Sequence, residues 1–399
     1  MISRIWVKCL TCKGPITARV QVGHEREQPV SFPCPNCGTE IKLTLVLDDP
    51  PNVKVAWSEN ASPGEQEGAI INIGAGFTVR KEKLHEDLYF PSMDAPRPDL
   101  EDVHPTGTVD GRVIVDAAIA RGTLPYSGDY WQTVRRALRF QRTGQTRELQ
   151  EQLKEFWGDR SAEETVESTL FAFLTRFVGP NSGAWISPLG DAMTQAQSLN
   201  SLEYDRLLAH YDADLKRDRF EAYSDIFSEY FRAFSEFDQT LVYVRLQMGL
   251  PDGMAASSSN FDQTKMFYGN AFEVLGAHLD LPAAFNNLLD GRRYDQMKTM
   301  DLRRFRSLNK ASRTNCFADN ASLSWLVREY DSSIRNASHH RWFRLDDSRT
   351  QISYRSGGNG ALQHLSYADY LIRCNRLAFQ LMILACWELL LLHQAGYRL

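Results

Sequence analysis

Residues 366–393 read SYADYLIRCNRLAFQLMILACWELLLLH, and this stretch decides the class of fold. It holds the longest apolar run of the chain, and we predict one long helix from Ser366, whose hydroxyl is a good N-cap, to about His393. The most apolar part, 377–392, is interrupted by Gln380 and Glu388, whereas a membrane helix needs about 20 apolar residues. We therefore expect a buried helix of a globular protein that has no membrane partner.

The composition agrees with a globular protein. The chain has 399 residues, of which 43% are hydrophobic and 24% charged, so two or three domains are expected and a disordered or fibrous protein is excluded. The net charge of −5 argues against a uniformly basic protein that coats nucleic acid. The first residues, MISRIWVKCLTC, lack the apolar segment of a secretory signal. We therefore expect a cytoplasmic protein.

Most of the chain from residue 130 onward has apolar residues three and four positions apart, which is typical of helices. The predicted fold is mainly α, and a stripe of aromatic residues between 220 and 237 is assigned to its core rather than to stacking on bases. The final helix is preceded by a predicted β-hairpin with arms at 343–345 and 351–354. The predicted helices before it cover 131–142, 146–157, 162–177, 201–215, 220–248, 261–279 and 321–339.

The N-terminal region has a different pattern. Residues 1–47 alternate apolar and polar positions, which predicts strands and hairpins. Residues 49–128 are rich in Pro, Gly, Asp and Asn and predict an irregular region with short strands at 69–73 and 77–80. The chain is thus divided into four regions, 1–48, 49–128, 129–199 and 200–399.

Four cysteines of the first region predict a metal site. They form two CxxC pairs separated by 21 residues, and each pair is followed by a turn-forming sequence: Cys9, Cys12, Cys34 and Cys37. Each CxxC turn offers two soft thiolates on one side of a tight loop, which is the arrangement that tetrahedral Zn²⁺ requires. Four protein ligands leave no open coordination position, so the Zn²⁺ would be structural. The pattern resembles zinc ribbons, which bind nucleic acid, bind protein, or only hold a fold, and the sequence leaves these roles open.

A second motif lies at the end of the predicted helix 321–339. The stretch Arg335-Asn336-Ala337-Ser338-His339-His340 resembles the signature of the HEPN superfamily of helical ribonucleases, an arginine separated by four to six residues from a histidine, often with asparagine after the arginine. A hairpin and a long apolar helix follow it. This order resembles HEPN domains of the Apea-like and abortive-infection kind over roughly residues 200–399, so an HEPN-like helical bundle with a small β-hairpin is expected there.

The resemblance implies a metal-independent endoribonuclease that needs no cofactor for catalysis. In such an enzyme the substrate 2′-OH attacks the adjacent phosphate, Arg335 binds the phosphate oxygens, His340 moves a proton, and Asn336 orients the phosphate or the imidazole. The products would carry 2′,3′-cyclic phosphate and 5′-OH ends. The resemblance also implies a role in bacterial anti-phage defence or a toxin system, with tRNA or another cellular RNA as substrate and a phage or regulatory protein as a further partner.

Geometry adds an expectation about oligomeric state. On an ideal helix, residues five apart are about 140° apart around the axis, so one helix presents Arg335 and His340 poorly to a single phosphate. HEPN proteins are similar in combining two motifs in one cleft. A homodimer with a composite active site is therefore expected.

A basic segment precedes the motif. Residues 292–313 contain eight basic and two acidic residues, a local charge of +6 in an acidic chain. Such a segment can bind an RNA backbone, although a solvated polar loop has the same composition. The residues assigned to RNA binding are Arg292, Arg293, Arg303, Arg304, Arg306 and Arg341.

A different class of function stays open beside the nuclease. The protein would then be a non-catalytic dimer in which the zinc ribbon binds nucleic acid or protein and an inactive HEPN scaffold provides the dimer contact.

Overall fold

The computed structural model describes the chain except residues 1, 23–25, 49–51, 74–77, 84–107, 110–111, 114–126, 180, 259–260, 318, 340–341, 347–348 and 356–359. The chain is mainly helical, with β-sheets at its N-terminus. It forms two compact units, each made of three chain segments. The N-terminal unit comprises Met1–Pro96, Ala233–Met266 and Asn336–Asn375, and the helical unit comprises Arg97–Arg232, Phe267–Arg335 and Arg376–Leu399.

Seven strands form two sheets at the start of the N-terminal unit. One sheet has the order β6-β1-β2-β7, in which β2 and β7 are parallel, and the other is the antiparallel sheet β3-β4-β5. Both sheets therefore continue beyond residue 48. The strands are β1 (Ile2–Cys9), β2 (Pro15–Gln21), β3 (Glu27–Pro33), β4 (Glu40–Leu47), β5 (Val53–Trp57), β6 (Ala61–Pro63) and β7 (Ala69–Ile73).

The alternation in the sequence explains how these sheets pack. In β4, Ile41, Leu43 and Leu45 are buried while the residues between them are partly exposed. Buried side chains from both sheets form one hydrophobic cluster, and Cys9 and Cys34 belong to it. The strands predicted for residues 1–47 are confirmed, and the first and third cysteines are fixed in the core that these strands create.

The remaining N-terminal unit combines short strands with helices. The predicted hairpin is confirmed and is extended by a third strand into the sheet β12-β13-β14. Strand β8 (Val79–Arg80) pairs with β11 (Met254–Ala255). The other elements of this unit are α7 (Phe234–Arg245), α8 (Phe261–Thr264), β12 (Arg344–Leu345), β13 (Gln351–Arg355) and β14 (Leu362–Ser366).

Helices dominate the second unit, which also contains the strands β9 (Thr108–Val109) and β10 (Arg112–Val113). A π-helical segment, Tyr211–Leu215, connects two of the helices. The helices that lie wholly in this unit are α1 (Ser127–Arg142), α2 (Thr146–Trp157), α3 (Val166–Val178), α4 (Ser182–Leu199), α5 (Ser201–His210), α6 (Lys216–Arg232), α9 (Phe267–His278), α10 (Asp280–Leu289) and α11 (Leu302–Ser307).

Three predicted helices are wrong in their extent. The helix expected over 261–279 is divided into α8 (Phe261–Thr264) and α9 (Phe267–His278). The helix expected over 220–248 is interrupted at Ala233, where α6 ends and α7 begins. The helix expected over 321–339 is reduced to a 3₁₀ turn, Ser324–Val327, and the short helix α12 (Ser332–His339). Within the helix predicted over 321–339, Asp331 accepts a hydrogen bond from the Ser333 N–H at 2.8 Å. Asp331 thus acts as the N-cap of α12, which begins there instead of continuing an earlier helix.

The last helix, α13 (Tyr367–Ala395), begins where the sequence predicts, because the Ser366 hydroxyl accepts the Asp369 N–H at 3.0 Å. It is the one helix among the described residues that is long and apolar enough to cross a membrane, and 83% of its most apolar window is buried inside the protein. Core helices of globular proteins have the same properties. The aromatic residues of α6, including Tyr223, Phe227 and Tyr230, are buried as core residues, as predicted.

Candidate functional site

The four N-terminal cysteines come together at the turns of two hairpins. Cys9 and Cys12 flank the β1–β2 turn, Cys34 and Cys37 flank the β3–β4 turn, and their four Sγ atoms lie within 4.8 Å of one another. The Cys9–Cys37 and Cys12–Cys34 Sγ distances are 3.8 and 3.7 Å. A tetrahedral zinc ion with Zn–S bonds of about 2.3 Å requires sulfur–sulfur distances of about 3.8 Å. The donor set and its spacing therefore fit a metal ion such as zinc.

Both CxxC turns have the same backbone geometry. The residue after the second cysteine, Lys13 or Gly38, has a positive φ of 63° or 76°. Its N–H donates to the carbonyl of the first cysteine of its pair, at 2.9 Å for Lys13 and 2.8 Å for Gly38. A positive φ is strained for lysine and unstrained for glycine. The two turns are thus equivalent in backbone geometry, and one of them contains a strained residue.

The protonation of the bare thiols differs around the cluster. Burial raises the pKa of Cys34 to about 12, and the hydrogen bond with Thr39 lowers the pKa of Cys37 to about 6. The amide of Asn60 donates to Cys9 Sγ at 3.4 Å and so also supports negative charge on sulfur. A divalent cation would hold all four groups as thiolates. Because four protein ligands would complete a tetrahedron, a metal ion bound here would have no open coordination position and would serve a structural role.

A second site is built around Arg335 on α12. Its Nε and Nη2 atoms donate to Oε1 of Glu273 on α9, at 2.7 and 2.5 Å. The other carboxylate oxygen, Oε2, accepts from Nζ of Lys310 at 2.6 Å. The side chains of Glu273, Lys310 and Arg335 are 29%, 30% and 33% exposed, so this ion cluster reaches the surface. We call these three residues the Glu273 cluster.

Electrostatics keep the carboxylate of this cluster ionised. Partial burial acts to raise the Glu273 pKa, but the ion pairs with Lys310 and Arg335 outweigh it and hold that pKa below its ordinary value. The cluster therefore presents one carboxylate and two cations at neutral pH, a net charge of +1. Such a group can exchange its internal carboxylate contact for the oxygens of an anionic ligand.

The side chains of Tyr330 and Lys310 pack closely against the backbone of helix α9 at Gly276, next to the Glu273 cluster. A Cβ atom added to Gly276, one turn after Glu273, would lie 2.0 Å from the Tyr330 hydroxyl and 2.9 Å from Lys310 Cβ. The Tyr330 ring stacks on Phe272 with a centroid distance of 3.6 Å. Only glycine at position 276 allows Tyr330 and Lys310 to lie against this helix together.

Of the other two predicted catalytic residues, the structure describes Asn336 but not His340. Asn336 follows Arg335 on α12 and is partly buried. His340 and Arg341 lie outside the described residues. The structure thus places Arg335 against Glu273 and leaves the geometry of Arg335 and His340 undescribed.

The basic segment divides into bound and exposed cations. Arg292 pairs with Asp290 at 2.7 Å, and Arg306 pairs with Asp280 at 2.8 Å, so both have local structural partners. Arg293 is 62% exposed and forms a surface pair with Asp295. Arg303 and Arg304 are exposed on α11, and their guanidinium groups have no partner among the residues that the structure describes.

The same segment packs on helix α9. Lys310 donates to the backbone carbonyl of Glu273 at 3.0 Å, and Arg313 donates to that of Gly276 at 2.8 Å. The exposed Arg303 and Arg304 therefore belong to the same segment as Lys310, whose ammonium pairs with Glu273.

Glu273 is the functional candidate that the sequence reasoning did not identify. It lies 62 positions before Arg335, and nothing in its local sequence, FYGNAFEVLGAH, distinguishes it from a helix surface residue. The combination of Glu, Arg and Lys appears only when α9, α12 and the basic segment are packed together.

The chain matches no known family model, and no curated protein or solved structure is detectably similar to it.

Proposed function

We propose that this protein is a metal-independent endoribonuclease of the HEPN type in which Arg335 binds the phosphate at the cleaved bond. The observation that carries the proposal is the Glu273 cluster, in which the Arg335 guanidinium and the Lys310 ammonium converge on one surface carboxylate. Two cations held at hydrogen-bonding distance from carboxylate oxygens match the spacing of phosphate oxygens, and a guanidinium can bind two of them at once. The exposed Arg303 and Arg304 would bind the RNA backbone beside the site.

In the proposed reaction the substrate 2′-OH attacks the adjacent phosphorus. The growing negative charge on the phosphate oxygens is stabilised by Arg335 and Lys310. His340 is proposed to transfer a proton and Asn336 to orient the phosphate, both from the sequence motif. The four-cysteine site would supply only structure, so a chelator that leaves the fold intact would leave cleavage intact.

The test is cleavage of total RNA by the full chain, followed by mapping of the fragment ends. Wild type should generate 2′,3′-cyclic phosphate and 5′-OH ends, and Arg335→Ala and His340→Ala should each lower the rate by at least roughly 10²-fold. Arg328→Ala is the matched control, because Arg328 is an exposed arginine of the preceding turn. Undiminished cleavage by both site variants would remove these residues from the mechanism.

The proposed homodimer has a separate test. Arg335→Ala and His340→Ala are mixed and allowed to exchange subunits. If each site takes residues from two chains, the mixture regains part of the activity that each variant lacks. A strict monomer with full wild-type activity would contradict the composite site.

A biological role in anti-phage defence or a toxin system is proposed from the resemblance. It is tested by expressing the protein in cells that are then infected, with Arg335→Ala as the inactive comparison. Protection or growth arrest that persists in this variant would argue against the role.

Two observations favour the non-catalytic alternative. Arg335 is already neutralised by Glu273, as a purely structural arginine would be. Two exposed apolar residues lie near the first cysteine pair: Trp6 on strand β1 is 43% exposed, and Leu10 in the CxxC turn is 44% exposed. Such residues are suited to binding a partner. Salt-sensitive RNA binding without cleavage of any RNA would support this alternative.

A further inference from the structure

The two oxygens of the Glu273 carboxylate are held by different cations. Oε1 accepts both contacts from Arg335, whereas Oε2 accepts from Lys310 at 2.6 Å. The carboxylate therefore occupies the position that a phosphate would take between these cations. About 70% of each of these side chains is buried, so the groups are restrained, yet the remaining part is open to an incoming ligand.

Binding of a phosphate changes the role of this carboxylate. A phosphate that binds the Arg335 guanidinium and the Lys310 ammonium would replace the Glu273 carboxylate as their partner. Glu273 would then lie next to the bound nucleotide with fewer hydrogen bonds. A carboxylate released in this way loses contacts that keep its pKa low, so it becomes more basic and can accept a proton from a neighbouring hydroxyl.

We propose that Glu273 is the general base that removes the proton from the attacking 2′-OH, an inference that rests on the proposed function. The O2′–H bond breaks and its proton moves to a Glu273 oxygen, while O2′ forms a bond to phosphorus. The bond between phosphorus and O5′ then breaks, and the departing O5′ takes the proton whose transfer the proposed function assigns to His340. The proton on Glu273 afterwards returns to the imidazole through water, which restores both groups.

Other groups that face Glu273 fit this role poorly. Lys310 and Arg335 are cations that donate to it, and Arg313 is buried and donates to the backbone carbonyls of Gly276, Arg306 and Leu308. The Tyr330 hydroxyl is buried, and this burial raises the Tyr330 pKa, so it stays protonated at neutral pH. Within the part of this unit that the structure describes, the carboxylate on which the Arg335 guanidinium and the Lys310 ammonium converge is that of Glu273, and its side chain is 29% exposed.

The experiment measures the pH dependence of single-turnover RNA cleavage by full-length wild type, Glu273→Gln and Lys310→Met. Glu221→Gln is the matched control, since Glu221 is a 43% exposed helix glutamate with surface ion pairs. The cleavage rate of wild type should fall toward acid pH as its general base is protonated, and this fall is the acid limb of the pH profile. Glu273→Gln keeps an oxygen for Arg335 but no base, so the rate should fall roughly 10²–10⁴-fold and the acid limb should disappear.

Lys310→Met gives an independent readout. Loss of the ammonium removes an interaction that favours the ionised carboxylate, so the acid limb should move to higher pH. If Glu273 had only a structural role, the acid limb of the pH–rate profile would stay in place in both Glu273→Gln and Lys310→Met. An acid limb unchanged in Lys310→Met, or a wild-type pH profile in Glu273→Gln, overturns the inference, and if Glu273→Gln does not fold, Lys310→Met alone decides.

The two proposals fail in different ways. If wild type cleaves no RNA, the proposed function fails and this inference fails with it. If Arg335→Ala abolishes cleavage while Glu273→Gln keeps the wild-type pH profile, the nuclease stands and only the general base is misassigned.

Discussion

Arg219 and Glu388 form a bidentate ion pair in the interior of the helical unit. Arg219 Nε lies 2.8 Å from Glu388 Oε2 and Nη2 lies 2.5 Å from Oε1, and the two residues are 5% and 0% exposed. The hydroxyls of Tyr211 and Tyr223 donate to the same carboxylate at 2.7 and 2.6 Å. The glutamate that interrupts the apolar run of the last helix is therefore fully satisfied by partners from other elements.

Loss of this arginine should be strongly destabilising. Arg219 also pairs with Asp280 at 2.8 Å, so Arg219→Met leaves two buried carboxylates without their main partner. We expect the free energy of unfolding to fall by about 3–5 kcal/mol. Arg217→Met is the control, because Arg217 is 79% exposed and its loss should cost at most about 1 kcal/mol. Urea denaturation measures both, and equal losses would contradict the assigned burial.

The buried His278 should make stability depend on pH. Burial, assisted by the charge of Arg219, lowers its pKa from 6.5 to about 4. Between these values the unfolded chain binds a proton that the folded protein does not, so the free energy of unfolding falls with decreasing pH by about 1.4 kcal/mol per pH unit. His278→Gln should remove this contribution. The difference between the wild-type and His278→Gln curves over pH 4 to 6.5 checks it, and parallel curves would contradict it.

Both CxxC turns should favour glycine at the residue that follows the second cysteine. Gly38→Ala places a side chain at a φ of 76° and should destabilise the protein by about 1 kcal/mol. Lys13→Gly relieves the same strain at a φ of 63° and should stabilise it by about 0.5–1 kcal/mol. Thermal unfolding of the metal-loaded protein compares the two. The same sign for both would show that the turns are not equivalent.

Metal analysis should find one zinc ion per chain. Cys12→Ser removes one of the four ligands and should abolish metal retention, since a structural zinc site requires all four. Cys316→Ser is the control, because Cys316 lies in the helical unit, outside the four-cysteine cluster. Chelation should also make the exposed Cys12 and Cys37 react first with a thiol reagent. Zinc retained by Cys12→Ser at wild-type content would refute the ligand set.

Gly276→Ala should be destabilising although alanine favours helices. The added Cβ would meet the Tyr330 hydroxyl at 2.0 Å, and relief of that overlap should cost about 1–3 kcal/mol. Gly190→Ala is the matched control on α4, where a Cβ meets nothing within 4 Å, so this change should stabilise by about 0.5–1 kcal/mol. Chemical denaturation distinguishes them. A stabilising Gly276→Ala would contradict the close approach.

Local patterns explain which elements could be predicted. Alternation over residues 1–47 predicted the strands and hairpins of that region, and the Ser366 N-cap predicted the start of the last helix, because both depend on neighbouring residues. The prediction failed where a local break depends on capping or packing, as at Ala233 and Asp331. The helix α4 was missed because Pro188 and several small polar residues weaken its helical signal.

The sequence by itself determined the mainly helical class, the strands at the N-terminus and the four cysteines as one set of candidate ligands, since CxxC spacing is local. Only the tertiary structure decided the partners of the charged groups. Glu388 pairs with Arg219, which is 169 positions away in the sequence, and Arg335 pairs with Glu273, which is 62 positions away. Such pairs depend on which helix faces are brought together by burial of apolar surface, and residue spacing carries no record of that choice.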